Sequence, residues 1–293
     1  MLNIHYGLGG IIVDYKIIID SCGELTHRMK QSGIYETASL SMEVDGDIIT
    51  DDELFDQADF LRRVAASPEC PKSSCPSPEN YMELYEGEEK RIYVVTLSSE
   101  LSGSYNSAQL GRKLWIEEHG DDGKQIYVFN SRSASVGETL IGLKIQECEE
   151  KGLSFEKVVS VVEDYIEGQH TYFVLENLDT LRKNGRLTGI KSFVASALNI
   201  KPVMGSTPEG TICQLGQARG MKRALVKMAN QIAEEGKATK EKILAIAHCN
   251  CPERAREVER MLLDRIHVKT SFIVDTAGIS TMYANDGGII VVL

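Results

Sequence analysis

Three short segments carry hydroxyl groups at a density that points to anion binding. They are Lys72-Ser73-Ser74-Cys75-Pro76-Ser77, Leu97-Ser98-Ser99-Glu100-Leu101-Ser102-Gly103-Ser104 and Asn130-Ser131-Arg132-Ser133-Ala134-Ser135-Val136-Gly137. Serine hydroxyls are compact donors, and their hydrogen bonds strengthen when the acceptor is ionised. Each segment runs into a stretch that reads as a helix. The first amides of a helix lack internal partners, and its dipole favours negative charge. Gly103 would let the backbone approach a ligand closely. One serine-rich loop is ordinary, because serine is a common helix N-cap. Three in one region carry more weight, although composition alone does not identify the anion.

Signals of other chemistries are missing. The chain has no G-x-S-x-G elbow, no G-x-x-x-x-G-K-[ST] phosphate loop and no H-E-x-x-H. Gly7-Leu8-Gly9-Gly10 precedes the first clear strand, the wrong place for a dinucleotide loop. His248-Cys249-Asn250-Cys251 has no second cysteine pair at matching spacing, so neither a metal site nor a catalytic residue is assigned. Asp20-Ser21 reads as a cap or turn. The basic residues Arg182, Lys183, Arg186, Arg219, Lys222 and Arg223 read as solvated charges, with partner docking as the alternative. The last three sit at one helix start, where cations oppose the dipole.

Alternating strand and helix patterns would position these loops. Apolar runs at Lys16 to Asp20, Arg91 to Leu97, Gln125 to Phe129 and Thr171 to Leu175 read as strands, and helical stretches follow the second and third. This is the pattern of a largely parallel sheet covered by helices, and such sheets bind ligands beyond the carboxyl ends of their strands. Thr50-Asp51-Asp52-Glu53 reads as a capping box opening a helix to Ala66. Ser77 and Ser154 read as N-caps, with Pro78 at the first helical position. Ile200 to Met204 and Thr211 to Leu215 flank a turn and predict a hairpin. Helices at 219–236 and 252–265 alternate with strands at 242–248 and 268–274, and a strand at 288–293 ends the chain. The texture changes near residue 168. The expected fold is α/β in two domains: residues 1–168 with a parallel sheet and the serine loops, and residues 169–293 with a mixed sheet.

The 293 residues are 42% hydrophobic, enough for a sizeable core, and the formal charge is −11. That charge repels a phosphate backbone, so nucleic acid is not an expected partner. No apolar run reaches the ~18–20 residues of a membrane helix. No signal-peptide layout is visible, and seven cysteines are an odd number. Free thiols, a cytoplasmic location and no membrane insertion are therefore expected.

The same loops resemble those of the DegV family, from Lys16 to Leu293. Lys16-Ile17-Ile18-Ile19-Asp20-Ser21 is similar to its opening strand and Asp-Ser turn. Ser73 to Glu79 is similar to its T-S-Q-P-S-P-E segment, and Leu97 to Ala108 to L-S-S-x-L-S-G-T-Y-x-S-A, the most specific match. Asn130 to Gly137 resembles D-S-K-S-A-S-x-G, and Leu178 to Leu187 resembles L-x-x-L-K-K-G-G-R-I. Lys201-Pro202 and Arg219-Gly220 resemble later elements of the family.

The resemblance implies a carrier of long-chain fatty acids such as palmitate, with no catalytic residue and no cofactor beyond the bound acid. It implies that Ser73 and Ser102 hold the carboxylate, with Ser74, Ser99, Gly103 and Tyr283 around it. It also implies a role in lipid transport or fatty-acid metabolism, in which a separate fatty-acid kinase could receive the acid. Three departures from the family pattern stand out: Ser73 replaces a threonine, Cys75 a glutamine, and Tyr283 the histidine that often precedes G-P-G-G. Tyrosine can donate a hydrogen bond but cannot become cationic near neutral pH. Burial of ~14 methylenes would contribute about 11 kcal/mol before ordering costs, so the tail supplies affinity and the head group orientation. The competing expectation is a serine-dependent lipid ester hydrolase, with Ser102 as nucleophile and His248 or His267 as base.

Overall fold

The structure, a computed structural model, describes residues 14–120, 123–187, 199–237 and 239–293. The glycine run at 7–10 lies outside them.

The first half is built on β1 (Tyr15–Asp20), β2 (Tyr35–Ala38), β6 (Arg91–Thr96) and β7 (Gln125–Asn130). They form a parallel sheet in the order β2-β1-β6-β7. Ile17, Ile18 and Ile19 are buried in succession, as are Ile92 to Val95. Such runs bury both faces of a sheet, which is why they read as continuous rather than alternating. On one face, Ile18, Ile92, Val94 and Val128 pack against α3 (Pro78–Tyr85) and α4 (Ser104–His119). On the other, Ile17, Ile19, Tyr93, Val95 and Phe129 pack against α5 (Val136–Glu150) and α6 (Phe155–Glu167).

The second half holds β8 (Thr171–Val174), β9 (Ile200–Ser206), β10 (Ile212–Arg219), β11 (Ile243–His248), β12 (Thr270–Asp275) and β13 (Ile289–Val292). Their order is β10-β9-β8-β13-β11-β12, and within it only β11 and β12 run parallel. The fold is therefore α/β, with a parallel sheet in the first half and a mixed one in the second. The 200–215 hairpin forms, with a longer second arm. The short α7 (Asp179–Lys183) follows β8. The outer face of this sheet packs on α8 (Met221–Glu234) and α9 (Pro252–Leu263).

Helix α5 lies between the two sheets. Ile141 and Ile145 face the first sheet's cluster, whereas Val136 and Leu140 pack with Ala245, Ala247 and Val292 of the second. The first two turns of α5 are buried all round, whereas Gln146, Glu147 and Glu150 further along reach solvent.

The remaining elements cap one end of the first sheet. They are β3 (Ser41–Val44), β4 (Asp47–Thr50), α2 (Gln57–Ala66), β5 (Lys72–Ser74) and α10 (Gly278–Ala284), whereas α1 (His27–Ser32) joins β1 to β2 and adds Met29 to the cluster of Ile17 and Ile19. The antiparallel sheet β4-β3-β5 packs Leu40 and Met42 against Phe60 of α2 and against Ile279 and Met282 of α10. The helix expected from Thr50 starts instead after Asp56, whose side chain accepts from Asp59 N. Thr50 is paired with Ser41 in the β hairpin. Asp51 is buried and accepts hydrogen bonds from Gly278 N at 2.7 Å and Ile279 N at 2.8 Å. It therefore caps α10, not a helix of its own neighbourhood. Ser77 caps α3 in a capping box with Asn80, and Ser154 caps α6. All seven cysteines are free. No helix among the described residues is long and apolar enough to cross a membrane.

Candidate functional site

Where β1, β6 and β7 end, the following loops meet the second sheet and line a cavity that opens to solvent, about 860 Å³ with its mouth included. Its walls are largely apolar. Leu40, Leu97 and Leu101 line it from the first half, and Phe173, Leu175, Leu181, Ile212 and Ile290 from the second.

Ser73, Ser102 and Tyr283 line this cavity. Ser73 is brought there by β5, a three-residue strand that exists through pairing of Met42 with Ser73 and Ser41 with Ser74. Tyr283 comes from α10, and its hydroxyl lies 2.9 Å from Ser73 Oγ. One of these hydroxyls donates to the other, which leaves one proton of the pair for a ligand. Ser102 Oγ accepts from Ser104 N at 3.2 Å, so its own proton is also available to an anion. Burial, which opposes ionisation, raises the Tyr283 hydroxyl above its ordinary pKa, so tyrosine stays a donor.

Arg186 also lines the cavity, although its sequence context read as a solvated charge. Its Nε donates to Leu101 O at 3.1 Å and its Nη1 to Asn184 O at 2.6 Å. The guanidinium carbon sits 5.7 Å from the centre of the Tyr283 ring. Among the described residues no carboxylate lies within ion-pair distance of Arg186. The site thus joins hydroxyl donors to a fixed positive charge that lacks an acidic partner.

Ser74, Ser99 and Gly103 do not line the cavity. Ser74 Oγ is 3.1 Å from Ser41 Oγ on the exposed side of β5. Ser99 is tied to Asn130: its amide donates to Asn130 Oδ1, and Asn130 Nδ2 donates to Ser99 Oγ at 2.8 Å. Gly103 precedes α4, and a Cβ there would stand 3.1 Å from Cys75 Sγ. The helix amides are largely spoken for as well. Asp51 takes those of α10, Ser77 caps α3, and the first amide of α4 meets Ser102.

The third serine loop lines the cavity through Arg132, Ser133, Ala134 and Ser135. Ser133 Oγ and Thr171 Oγ1 pair at 2.6 Å, joining the two halves. Ser135 has φ +61°. That left-handed backbone costs a serine about 1–3 kcal/mol and is kept only where its surroundings enforce it. Its hydroxyl donates to Glu24 Oε2 at 2.7 Å. Gly210, at φ +93°, closes one side: its carbonyl accepts from Ser98 Oγ at 2.9 Å, and a Cβ would strike Arg132.

His248 and His267, candidates for a catalytic base, do not line the cavity. His248 Nδ1 accepts from Cys251 N and lies 3.3 Å from Asp275. Among the described residues, no group of three or more His, Cys, Asp or Glu side chains is arranged to hold a metal ion.

A family model described as an uncharacterised protein of the DegV family matches residues 14–292. A DegV domain-containing protein of Streptococcus pneumoniae is 33% identical over 257 residues, which cover 87% of this chain and 89% of that one. A crystal structure of a DegV family protein from Ruminococcus gnavus, described with vaccenic acid, is 64% identical with a TM-score of 0.93. It covers 96% of this chain and 100% of its own. The Fatty Acid Kinase (Fak) B3 protein of S. pneumoniae, loaded with linoleic acid, is 31% identical with a TM-score of 0.83, over 95% of this chain and 98% of its own. With the family model spanning nearly all of the described residues and relatives matching over most of their length, the chain belongs to the DegV family.

Proposed function

We propose that this chain is a non-enzymatic carrier that buries a long-chain fatty acid in the cavity between its two halves, residues 1–168 and 169–293. Ser73 and Ser102 hold the carboxylate, helped by the Tyr283 hydroxyl and the Arg186 charge. The observation that carries this reading is the joining of free hydroxyl protons and a guanidinium with no carboxylate partner among the described residues to a cavity walled by leucine, isoleucine and phenylalanine. An apolar cavity without the donors would bind many greasy molecules; donors without the cavity would bind any small anion. Together they select an amphiphile with one negative end. The relatives described with vaccenic and linoleic acids support the same ligand class.

The relative named for a fatty acid kinase supports a further step, in which this carrier presents its acid to a separate kinase. The chain has no phosphate loop of the G-x-x-x-x-G-K-[ST] kind, so phosphorylation would fall to that partner. Neither of the bases the ester-hydrolase alternative would use, His248 and His267, lines the cavity, and Ser102 Oγ is hydrogen-bonded to an amide donor. A cytoplasmic location suits a carrier serving such a partner.

The test is extraction of the purified protein with organic solvent, followed by mass spectrometry. About one fatty acid per chain is expected, or stoichiometric uptake of added acid by stripped protein. No lipid and no uptake would reject the reading. Labelling of Ser102 by a fluorophosphonate probe would favour the hydrolase.

A further inference from the structure

Behind the Ser102 loop lies a buried pair of carboxyl groups that the carboxylate site does not use directly. Asp20 ends β1 with no exposure. Its Oδ2 accepts from Leu97 N at 2.9 Å and from Ser104 Oγ at 2.6 Å, and its Oδ1 from Cys22 N at 3.2 Å. Because the Ser104 proton goes to Asp20, Tyr81 must be the donor in its 2.7 Å bond to Ser104 Oγ. Leu97 and Ser104 bracket the loop that carries Ser102, and Ser104 N is the group that holds Ser102 Oγ. Asp20 therefore clamps both ends of that loop from below.

Glu138, in the first turn of α5, faces Asp20 and is also fully buried. Neither of its oxygens is held by a nitrogen or hydroxyl donor, and the Cys22 thiol is the one weak donor facing it among the described residues. The groups around the pair are Cys22 and Glu24 in the turn after β1, Asp51 after β4 and Tyr81 on α3. No lysine, arginine or histidine pairs with either carboxyl among the described residues. An ionised Glu138 would hold an unsolvated charge with only a weak thiol donor to accept from, beside a second charge. With a proton it becomes a donor, and Asp20 is the acceptor it meets. Burial and the Asp20 charge both push Glu138 well above the usual carboxylate range. Asp20, supplied with three fixed donors, is the member of the pair that keeps the charge.

We infer that Glu138 is a positioning residue: it keeps a proton at neutral pH, donates it to Asp20, and so lets an ionised Asp20 hold the 97–104 loop in the shape that presents Ser102 to a fatty-acid carboxylate. The second part rests on the proposed function. The first does not.

The experiment has two arms. The infrared difference spectrum between the unmodified chain and E138Q at pH 8, where Glu24 has lost most of its proton, should show one carbonyl band of a buried protonated carboxylic acid that the substitution removes. In the second arm, fatty-acid affinity is measured by displacement of a fluorescent fatty acid. E138Q, whose amide still donates to Asp20, should bind within about threefold of the unmodified chain. E138L, which cannot donate, should bind about tenfold or more weakly. S102A should add little to E138L, because the loop is already displaced; a mutation that merely loosens the core would leave the two effects additive. A missing infrared band would overturn the inference even if E138L fails to fold. So would E138Q binding as poorly as E138L, or additive effects of E138L and S102A. A band together with no fatty-acid uptake by the unmodified chain would sink the fatty-acid reading alone and leave the shared proton standing.

Discussion

Replacing Ser73 and Ser102 together by alanine tests the head-group assignment, and the hydrogen-bond pattern sets how large the effect should be. Ser102 has its acceptor side filled by Ser104 N, so its proton is free for a carboxylate. A hydrogen bond to a charged acceptor contributes about 1.5–3 kcal/mol, and S102A should lose that. Ser73 shares one bond with Tyr283. S73A frees the tyrosine hydroxyl to turn to the acid, so the single change should cost about 1 kcal/mol or less. The double variant should lose roughly 2–4 kcal/mol, about 30- to 1,000-fold in Kd, and the two effects should not simply add because the groups share one ligand. Tail burial worth ~11 kcal/mol is untouched, so binding weakens without vanishing. Calorimetric titration with a free fatty acid and with its methyl ester separates the two contributions. The unmodified chain should prefer the acid, and the double variant should lose most of that preference. An unchanged Kd for the acid in the double variant would refute the assignment, whatever the stoichiometry of bound lipid.

Other outcomes follow from buried acids and from mass action. Glu24 is buried, which pushes its carboxyl up to about 7 from 4.5. Between those values the folded chain keeps a proton that the unfolded chain has lost, so its stability is full below the lower value and falls as pH rises through the higher one. The gap corresponds to about 3 kcal/mol. E24Q should remove the fall: urea melts should show a gain at pH 8 and none at pH 4. Asp51→Ala strips two amide bonds from the start of α10 and should cost on the order of 2–4 kcal/mol in the same melts. Fatty acid added at ~100 times its Kd to stripped protein should raise unfolding stability by about 2.7 kcal/mol, seen as a higher Tm.

Sequence reasoning reached the parts of this fold whose signals are local. β1, β6, β7, β8 and β11 are near-continuous apolar runs, legible because both faces of their sheets are covered. Ser77 and Ser154 carry their own cap chemistry. The small sheet was illegible. Lys72-Ser73-Ser74 has no strand pattern and becomes a strand because β3 pairs with it. Thr50 to Glu53 imitates a capping box, yet Asp51 serves a helix 227 residues away. No local reading could supply that partner, and α10 has no side-chain cap of its own by which it could be recognised. The family resemblance pointed to Ser73, Ser102 and Tyr283, and all three line the cavity. Arg186 read as one more surface charge, because nothing nearby in sequence shows that Leu101 and Tyr283 enclose it. Asp20 read as a turn residue, since its clamp on Leu97 and Ser104 spans 77 and 84 positions.

Helix α5 has a consequence for how the molecule can be taken apart. Val136 and Leu140 are covered by strands from beyond residue 240, while Ile141 and Ile145 belong to the first sheet. A fragment cut at residue 168 would keep α5 but lay bare a greasy stripe, and the complementary fragment would expose Ala245, Ala247 and Val292. Such fragments should clump when made singly and recover when made together, as pieces of one cooperative body do.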